Sequence, residues 1–327
     1  MKTGSGTRLH INEVATRDGF QMESRFIPTD DKVALIDRLS TLGYAKIEVT
    51  SFTSAKAIPA LRDGEEVMQR IARRSGVVYT ALVPNVRGAE RALESRIDEF
   101  NIVMSVSETH NLSNLRMTRE QSFAQLADVI ALAKQARVPV NVSLSCVFGC
   151  PMEGDVPLET VLGWIDRFAV LDVQGITLCD TTGMAHPMQV QAVCEAVRAK
   201  HPALQWTAHF HNTRGMGLAN TIAAVEAGIE RLDMSLGGIG GCPYAPGATG
   251  NVATEDVVHM LQCMGYDTGM DLDGLIGAAA ELESLVQHEL PSQVSRAGHR
   301  LTRHAPPADF NEIVERAQAR SAQKENA

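Results

Sequence analysis

The sequence lacks the features by which membrane-spanning, secreted and nucleic-acid-binding proteins are usually identified. Its 327 residues contain no apolar run as long as a membrane span, and its first ten residues have no hydrophobic stretch of the kind that a secretory signal needs. It has no run of basic residues, and its formal net charge of −9 argues against nucleic acid as the main partner. We therefore expect a cytoplasmic protein that binds neither membranes nor nucleic acids.

The cysteines are few and follow no framework spacing. There are 6 of them in the chain, at positions 146, 150, 179, 194, 242 and 263. Such spacing does not predict a disulfide-stapled fold, and in a cytosolic chain of this size cysteines are free thiols by default. Hydrophobic content of 44% and charged content of 21% are typical of a globular protein with a large core.

Short apolar stretches alternate with segments of helical periodicity, eight times over. The pattern predicts strands at residues 9–14, 45–50, 77–83, 100–106, 138–147, 175–179, 205–211 and 231–235. It predicts helices at residues 33–42, 65–74, 87–95, 119–137, 158–171, 187–200, 215–227 and 254–264. Eight βα units in this length predict an α/β protein with a closed (β/α)8 TIM barrel. The competing open, doubly wound sheet loses its main support because no G-x-G-x-x-G follows the first strand.

Further helices are predicted beyond the barrel, near residues 271–289 and 308–319, before a polar tail. We expect residues 1–300 to form a single TIM-barrel catalytic domain with a C-terminal helical extension. Residues 301–327 are expected to form a C-terminal helix and the tail.

The seventh and eighth strands lead into the most unusual stretch of the chain. His209 and His211 are spaced so that both rings point to the same face of a strand. Residues 237–251 then form a loop rich in glycine that contains Cys242 and ends at Asn251. An isolated pair of histidines at this spacing is more often an ordinary polar pair, so the interpretation as a site depends on the rest of the chain.

Other polar residues stand where predicted strands end. In a TIM barrel the functional residues lie at these C-terminal strand ends and in the loops that follow. Each residue alone also has a structural explanation: Asp180 could cap the next helix, for example, and Cys242 could be an inert small hydrophobe. The polar residues at strand ends are Arg17 and Asp18, Glu48, Ser107 and Glu108, Cys146, and Asp180 with Thr181 and Thr182.

Asp18, His209, His211 and Asn251 together offer two oxygens and two nitrogens. An oxygen and nitrogen set that includes an amide suits Mg²⁺ or Mn²⁺ better than tetrahedral zinc. Such an ion can stabilise the negative charge on a substrate hydroxyl that loses its proton. Arg17 is suited to a developing enolate oxygen, and a thiol on a closing loop can transfer a proton. These groups are the parts needed to cleave a carbon–carbon bond of a β-hydroxyacyl compound.

Six motifs of the chain resemble the hydroxymethylglutaryl-CoA lyase family, over about residues 9–265. They are RDGFQME (17–23), EVTSF (48–52), CVFGCPMEG (146–154), DTTG (180–183), HFHNT (209–213) and GIGGCPYAPGATGNVATED (238–256). The resemblance implies a TIM barrel that cleaves 3-hydroxy-3-methylglutaryl-CoA to acetyl-CoA and acetoacetate with Mg²⁺ or Mn²⁺, commonly as a homodimer. It implies metal binding by Asp18, His209, His211 and Asn251, and catalytic roles for Arg17, Glu48, Asp180, His209 and Cys242.

The chain departs from the family pattern at Phe20, Met22, Asn212 and Arg214, where the family usually has leucine, asparagine, aspartate and an aromatic residue. Three alternatives therefore stay open. One is a lyase for another 3-hydroxyacyl-CoA, such as citramalyl-CoA or a longer branched analogue. Another is a Claisen-condensing synthase of the 2-isopropylmalate or homocitrate type, although that group usually carries a G-x-G-E-R loop. The last is a barrel that binds a ligand without turnover.

Overall fold

A computed structural model describes residues 6–241 and 250–325, with side chains described up to residue 321. Eight parallel strands close into one barrel in chain order, β1 to β8, and β1 pairs with β8. The predicted TIM barrel is therefore confirmed. Its strands are β1 His10–Glu13, β2 Lys46–Ser51, β3 Val78–Leu82, β4 Glu99–Ser105, β5 Val140–Ser145, β6 Gly175–Asp180, β7 Gln205–Phe210 and β8 Arg231–Met234.

The helices that follow the barrel strands surround the barrel, and most of the helices lie where the helical periodicity placed them. Leu35, Ile36 and Leu39 of α1, for example, are buried on its inner face, as their spacing predicts. The helices are α1 Thr29–Leu39, α2 Gly64–Arg70, α3 Val86–Glu94, α4 Glu108–Leu115, α5 Arg119–Ala136, α6 Leu158–Ala169, α7 Pro187–Lys200, α8 Gly217–Glu226, α9 Thr254–Cys263, α10 Leu272–Val286, α11 Val294–Ala297 and α12 Phe310–Glu325.

Helix α4 lies between β4 and α5, where the sequence predicted a loop with site residues. Its sequence, ETHNLSNL, has no apolar stripe, so periodicity could not reveal it. The side chain of Ser107 caps α4 by accepting the N–H of His110, and Glu108 pairs with Arg119. Both residues thus serve the local helices, and neither is among the described residues that line the cavity at the barrel mouth.

The barrel interior beneath the mouth is polar, unlike the apolar layers that usually fill this fold. Lys46 and Glu99 form an ion pair there, and Asn12 donates to Asp233 over 2.8 Å. Higher up, Asn101 donates to Glu48 over 2.7 Å. Because buried polar groups are costly unless they are bonded, this network fixes the positions of the residues above it.

The chain separates into two compact units, Met1–Arg296 and Ala297–Ala327. The first contains the barrel and α10. In the second, α12 continues to Glu325, past the predicted end at residue 319, because SAQKE favours a helix. No helix in the described part of the chain is both long and apolar enough to cross a membrane.

Candidate functional site

Arg17 and Asp18 reach the barrel mouth through a helical turn that directly follows β1. Residues Ala15–Gly19 form a single π-helical turn, in which the N–H of Gly19 lies 3.4 Å from the carbonyl of Val14. Thr16 fixes this turn to β2 by donating its hydroxyl proton to the carbonyl of Glu48 over 2.8 Å. Such turns occur often at functional sites because they redirect neighbouring side chains to one place. Here the turn directs Arg17 and Asp18 to the same cavity.

The two histidines point into this cavity from the end of β7, as their spacing predicts. Both rings are buried, and their centroids lie 5.2 Å apart. One ligand atom from each histidine and one carboxylate oxygen of Asp18 all lie within 4.8 Å of one another. Residues 191 positions apart in sequence thus form one compact group that could hold a metal ion.

Asn251 joins this group through both its backbone and its side chain. Its backbone forms a bridge with His211. Its side-chain N–H groups donate to Asp18 over 2.8 Å and to the carbonyl of Ile239 over 3.1 Å. The amide nitrogen is therefore engaged on both sides, which leaves the amide oxygen directed elsewhere.

Two buried atoms of the group have no hydrogen-bond partner among the described residues: Nδ1 of His211 and Oδ1 of Asn251. Buried polar atoms are rarely left unsatisfied, because each costs about 1–3 kcal/mol. Both atoms are metal-ligand atoms, and Asp18 adds a carboxylate oxygen. The donor set therefore fits a divalent cation that accepts oxygen and nitrogen ligands.

Nearby charges and burial keep two of these side chains in the protonation states that bind metal ions. Burial alone would raise the pKa of Asp18, but Arg17 and the two histidines hold it below its usual range. Burial lowers the pKa of His211 to about 4, so its ring is neutral near pH 7. An ionised carboxylate and a neutral imidazole are the forms that bind metal ions.

His209 has a second partner that the sequence analysis did not identify, Asp233 of β8. Burial lowers the pKa of His209, but Asp233, whose Oδ2 lies 3.8 Å from Nδ1, holds it above its ordinary value. Carboxylates behind ligating histidines commonly orient the ring. Asp233 pairs in register with His209 across β7 and β8, so it could have been found by applying the strand-end rule to β8.

Arg17 is held between two carboxylates. Its Nε donates to Glu48 over 2.7 Å, and one terminal nitrogen donates to Asp18 over 2.7 Å. Burial would lower the pKa of Arg17, but these two carboxylates raise it, so it stays a cation. Its other terminal nitrogen lies 2.6 Å from Oε2 of Glu48. A guanidinium has five N–H donors, more than these three contacts use, and Arg17 lines the cavity.

Asp180 is not among the residues of the metal-ligand group. Asp180 accepts the N–H groups of Met184 and Ala185, over 2.7 and 3.1 Å, and so closes the loop after β6. Its neighbours in sequence, Cys179 and Thr181, line the cavity instead. Cys242 lies outside the described residues, so its predicted role stays a prediction.

The two ends of the glycine loop approach each other closely next to the metal-ligand group. Gly240 has a φ of 102°, and a Cβ there would lie 2.5 Å from the side-chain nitrogen of Asn251. Gly250 has a φ of 95°, and a Cβ there would lie 2.3 Å from the carbonyl oxygen of Gly240. Only glycine fits these positions without displacing the backbone or Asn251.

Two buried glutamates hold the start of this loop, and the sequence analysis identified neither. Glu13 accepts the N–H of Leu236 over 2.9 Å, and Glu255 accepts that of Gly237 over 3.1 Å. Burial raises the pKa of Glu13 to about 6 and that of Glu255 to about 7. Nothing in their sequence context sets them apart from other glutamates, because their role depends on contacts distant in sequence.

We expect the Glu255→Gln variant to become more stable relative to the wild type as pH rises. The folded pKa of about 7 exceeds the ordinary value of 4.5, so ionisation of Glu255 costs the folded state up to about 3 kcal/mol between these pH values. Glutamine does not titrate and can still accept one N–H. Urea unfolding of both proteins at pH 5 and pH 8 measures this change. A stability difference that is the same at both pH values would contradict the burial argument.

The four departures from the family pattern lie in different environments. Phe20 is buried, whereas Met22 is 40% exposed and so is not part of the inner site. Asn212 accepts the N–H of Gly217 and caps the start of α8. Arg214 donates to the carbonyls of Thr182 and Gly183 and thus connects the loops after β6 and β7. None of these four side chains is among the described residues that line the cavity.

The cavity at the barrel mouth has a volume of about 570 Å³. The metal-ligand group forms one wall, with Arg17, Asp18, His209 and His211. The opposite wall contains Leu82 and Val103, below residues of α4 and α5. Cavities of this size bind small molecules or parts of larger ones.

Comparison with known proteins gives consistent matches over most of the chain. The HMGL-like family model matches residues 8–282. A hydroxymethylglutaryl-CoA lyase of Bacillus subtilis is 46% identical over 286 residues, which cover 88% of this chain and 96% of that protein. A Pseudomonas aeruginosa 3-hydroxy-3-isohexenylglutaryl-CoA/hydroxymethylglutaryl-CoA lyase is 37% identical over 291 residues, covering 89% and 97% of the two chains.

A solved structure also matches most of this chain. It is an HMG-CoA lyase from Acinetobacter baumannii in complex with coenzyme A and 3-methylmalate. The two structures superpose with a TM-score of 0.88 at 46% sequence identity, covering 91% of this chain and 98% of that one.

Proposed function

The chain belongs to the HMGL-like family, and on this basis we infer that it is a carbon–carbon lyase. We propose that it cleaves 3-hydroxy-3-methylglutaryl-CoA, or a close 3-hydroxyacyl-CoA, into acetyl-CoA and a keto acid by retro-Claisen cleavage. The observation that carries the proposal is the grouping of Asp18, His209 and His211 within 4.8 Å, beside Arg17. The Bacillus subtilis and Pseudomonas aeruginosa relatives, which are lyases of this kind, support the same reaction.

Asp18, His209, His211 and Asn251 would hold the metal ion, which we propose to be Mg²⁺ or Mn²⁺. When bound, such an ion supplies Lewis acidity toward the hydroxyl and carbonyl oxygens of the substrate. Asn251 contributes the amide oxygen that has no partner among the described residues, and Asp233 orients the ring of His209.

In the proposed reaction the bond between C2 and C3 breaks, and its electron pair becomes the enolate of acetyl-CoA. The hydroxyl oxygen on C3 becomes the carbonyl oxygen of the keto acid as its proton passes to solvent water, and the Cys242 thiolate left after protonation of the enolate regains a proton from that water. His209 would contact this hydroxyl as well as serve as a metal ligand. Arg17 donates its remaining N–H groups to the enolate oxygen, and Glu48 holds the guanidinium in place. Cys242 then delivers a proton to the enolate carbon. Asp180 supports these groups by fixing the loop after β6.

The proposal is tested by assaying acetyl-CoA release from 3-hydroxy-3-methylglutaryl-CoA and from citramalyl-CoA in the presence of Mg²⁺. We expect cleavage that exhaustive chelation abolishes and that Mg²⁺ or Mn²⁺ restores, because neither Arg17 nor Cys242 can replace the cation. Thiol release from acetyl-CoA with a 2-oxo acid would instead indicate a condensing synthase. Full activity after chelation would exclude the metal site.

We expect Cys242→Ala to lose most turnover, by about a hundredfold or more, because proton delivery by a positioned group contributes about 10²–10⁴-fold to a rate. The fold should be unaffected. Steady-state kinetics with circular dichroism as a folding check measures both. The exposed Cys263 offers the matched control, Cys263→Ala, for which we expect unchanged turnover. Near-normal activity of Cys242→Ala would remove its role as the acid.

We further propose that the enzyme acts in the cytoplasm as a homodimer and that residues 1–300 form its catalytic domain. The absence of a cysteine framework supports the location, and the family resemblance supports the dimer. Light scattering of the purified protein, together with the activity of a chain that ends at residue 300, tests the last two points.

A further inference from the structure

The carboxylate that holds Arg17 has different partners on its two oxygens. Oε2 of Glu48 accepts the Nε–H of Arg17 over 2.7 Å and lies 2.6 Å from one of its terminal nitrogens. Oε1 of Glu48 accepts an N–H of the Asn101 side chain over 2.7 Å. An arginine and a carboxylate often pair with one nitrogen on each oxygen. Here both nitrogens of Arg17 share one oxygen, because Asn101 occupies the other.

The contacts of Asn101 fix which way its amide faces. Its side-chain oxygen accepts the hydroxyl proton of Ser143 over 2.8 Å and an N–H of Asn141 over 3.1 Å. With the amide turned over, its N–H groups would meet the N–H of Asn141, and its oxygen would meet the carboxylate of Glu48. Hydrogen-bond networks of this kind assign the orientation of an amide. Asn101 therefore presents an N–H, and not an oxygen, to Glu48.

The same contacts connect Glu48 to three further strands of the barrel. Asn101 lies on β4 and Asn141 on β5, and Asn141 also donates to Thr177 of β6 over 2.9 Å. Each of the four side chains from Thr177 to Glu48 is at most 7% exposed. A buried polar network whose members are bonded is rigid, and side chains on strands are held more precisely than those on loops. The carboxylate of Glu48 is thus held in one orientation.

The orientation of Glu48 determines that of the guanidinium. Two of the five N–H groups of Arg17 face Oε2 of Glu48, and a third bonds to Asp18 over 2.7 Å. The guanidinium is planar, so these contacts also fix the direction of the two N–H groups that remain. If Asn101 did not occupy Oε1, the carboxylate could turn and take one nitrogen on each oxygen. The plane of the guanidinium would then change, and the remaining N–H groups would turn with it.

We propose that Asn101 is a positioning residue for Arg17: by occupying one oxygen of Glu48, it directs the two remaining N–H groups of the guanidinium to the enolate oxygen. This inference rests on the proposed lyase function. Asn101 is not among the described residues that line the cavity at the barrel mouth, so it acts through Glu48 and not on the substrate. Because a misplacement of about 1 Å can cost about 100-fold in rate, a residue in this role has a measurable effect.

Asn101→Leu removes this contact at nearly the same side-chain volume. We expect kcat for 3-hydroxy-3-methylglutaryl-CoA with Mg²⁺ to fall by about 10- to 100-fold, with KM within about threefold of wild type. The loss falls on kcat because the enolate oxygen, which the N–H groups bind, forms only as the carbon–carbon bond breaks. Asn101→Val, which suits a strand, serves if Asn101→Leu does not fold. A folded variant of either kind with wild-type kcat would overturn the proposal.

Thr80→Val is the matched control, because Thr80 lines the same small interior cavity as Asn101. The hydroxyl of Thr80 donates to the carbonyl of Glu99 over 2.8 Å. The control thus also removes a buried hydrogen bond, but one that does not involve Glu48. We expect kcat within about threefold of wild type, even where thermal unfolding shows a loss of stability. A loss of kcat as large as in Asn101→Leu would show a general effect of interior polarity and would overturn the specific role.

A double-mutant cycle shows whether Asn101 acts through Arg17. In Arg17→Lys the planar group that Asn101 orients is already absent. Adding Asn101→Leu to this variant should therefore cost less than about threefold more in kcat. Losses that multiply, so that Asn101→Leu costs as much in Arg17→Lys as in the wild type, would overturn the proposal.

A crystal structure of Asn101→Leu separates this proposal from the proposed function, because it requires no turnover. We expect Glu48 to pair with Arg17 through both oxygens and the plane of the guanidinium to differ from that of the wild type. Unchanged positions of Glu48 and Arg17 would refute the positioning role alone. Absence of turnover by the wild-type protein with both 3-hydroxy-3-methylglutaryl-CoA and citramalyl-CoA would refute the lyase function alone.

Discussion

Replacing Arg17 by lysine is expected to lower kcat by about 100- to 1,000-fold, the usual cost of losing one donor to a developing oxyanion. Lysine keeps the positive charge but not the planar fork with which Arg17 bonds to Glu48 and Asp18 at once. A single ammonium group cannot satisfy both carboxylates and still donate to an enolate. The loss should appear equally in kcat and kcat/KM, because the interaction exists only in the transition state.

Steady-state kinetics on 3-hydroxy-3-methylglutaryl-CoA measures this effect, and thermal unfolding reports whether the barrel is intact. Arg167→Lys is the matched control, since Arg167 makes two contacts with Glu120, both 2.7 Å long, on the protein surface. We expect its kcat to stay within about threefold of wild type, as surface ion pairs contribute little. An Arg17→Lys variant with wild-type kcat would show that the enolate is stabilised elsewhere.

Asp18→Asn should weaken Mn²⁺ binding by about a hundredfold or more and reduce activity with it. The substitution keeps the shape of the side chain but removes the one carboxylate of the metal-ligand group. Two unit charges 4 Å apart interact by about 4 kcal/mol near a protein surface, and a divalent ion gains more. The loss of this attraction therefore exceeds two orders of magnitude in affinity.

Titration calorimetry with Mn²⁺ measures the affinity of the wild type, of Asp18→Asn and of a control, Asp273→Asn, which removes a charge from exposed Asp273 on α10. The control should bind Mn²⁺ like the wild type. Saturating Mn²⁺ should restore part of the activity of Asp18→Asn. Equal affinity in all three proteins would place the ion elsewhere.

The sequence was sufficient to predict the barrel because its signals are local and repeated. Each strand is a short apolar run, each helix has its own apolar stripe, and the alternation leaves few possible topologies. The histidine pair was predictable for the same reason, since the twofold period of a strand places His209 and His211 on one face. The position of Asp18 at the site was predictable from the rule that the C-terminal ends of all barrel strands meet at one rim.

Contacts between distant segments could not be predicted in this way. Asp233, Glu13 and Glu255 look ordinary in their own segments, and only the closed barrel brings them to His209 and to the start of the glycine loop. At Ser107 and Glu108, polar residues at a strand end make their described contacts within helices, one of which has no apolar stripe. A polar residue at the rim is thus a candidate for the functional site, and its contacts in the folded protein decide its role.

The most direct test of this account is a crystal structure of the protein with Mn²⁺, recorded at a wavelength where manganese scatters anomalously. We predict one anomalous peak at the barrel mouth, bonded to a carboxylate oxygen of Asp18, to a ring nitrogen of each of His209 and His211, and to the side-chain oxygen of Asn251. A peak elsewhere, or one at the mouth that Asp18 and Asn251 do not contact, would contradict the account.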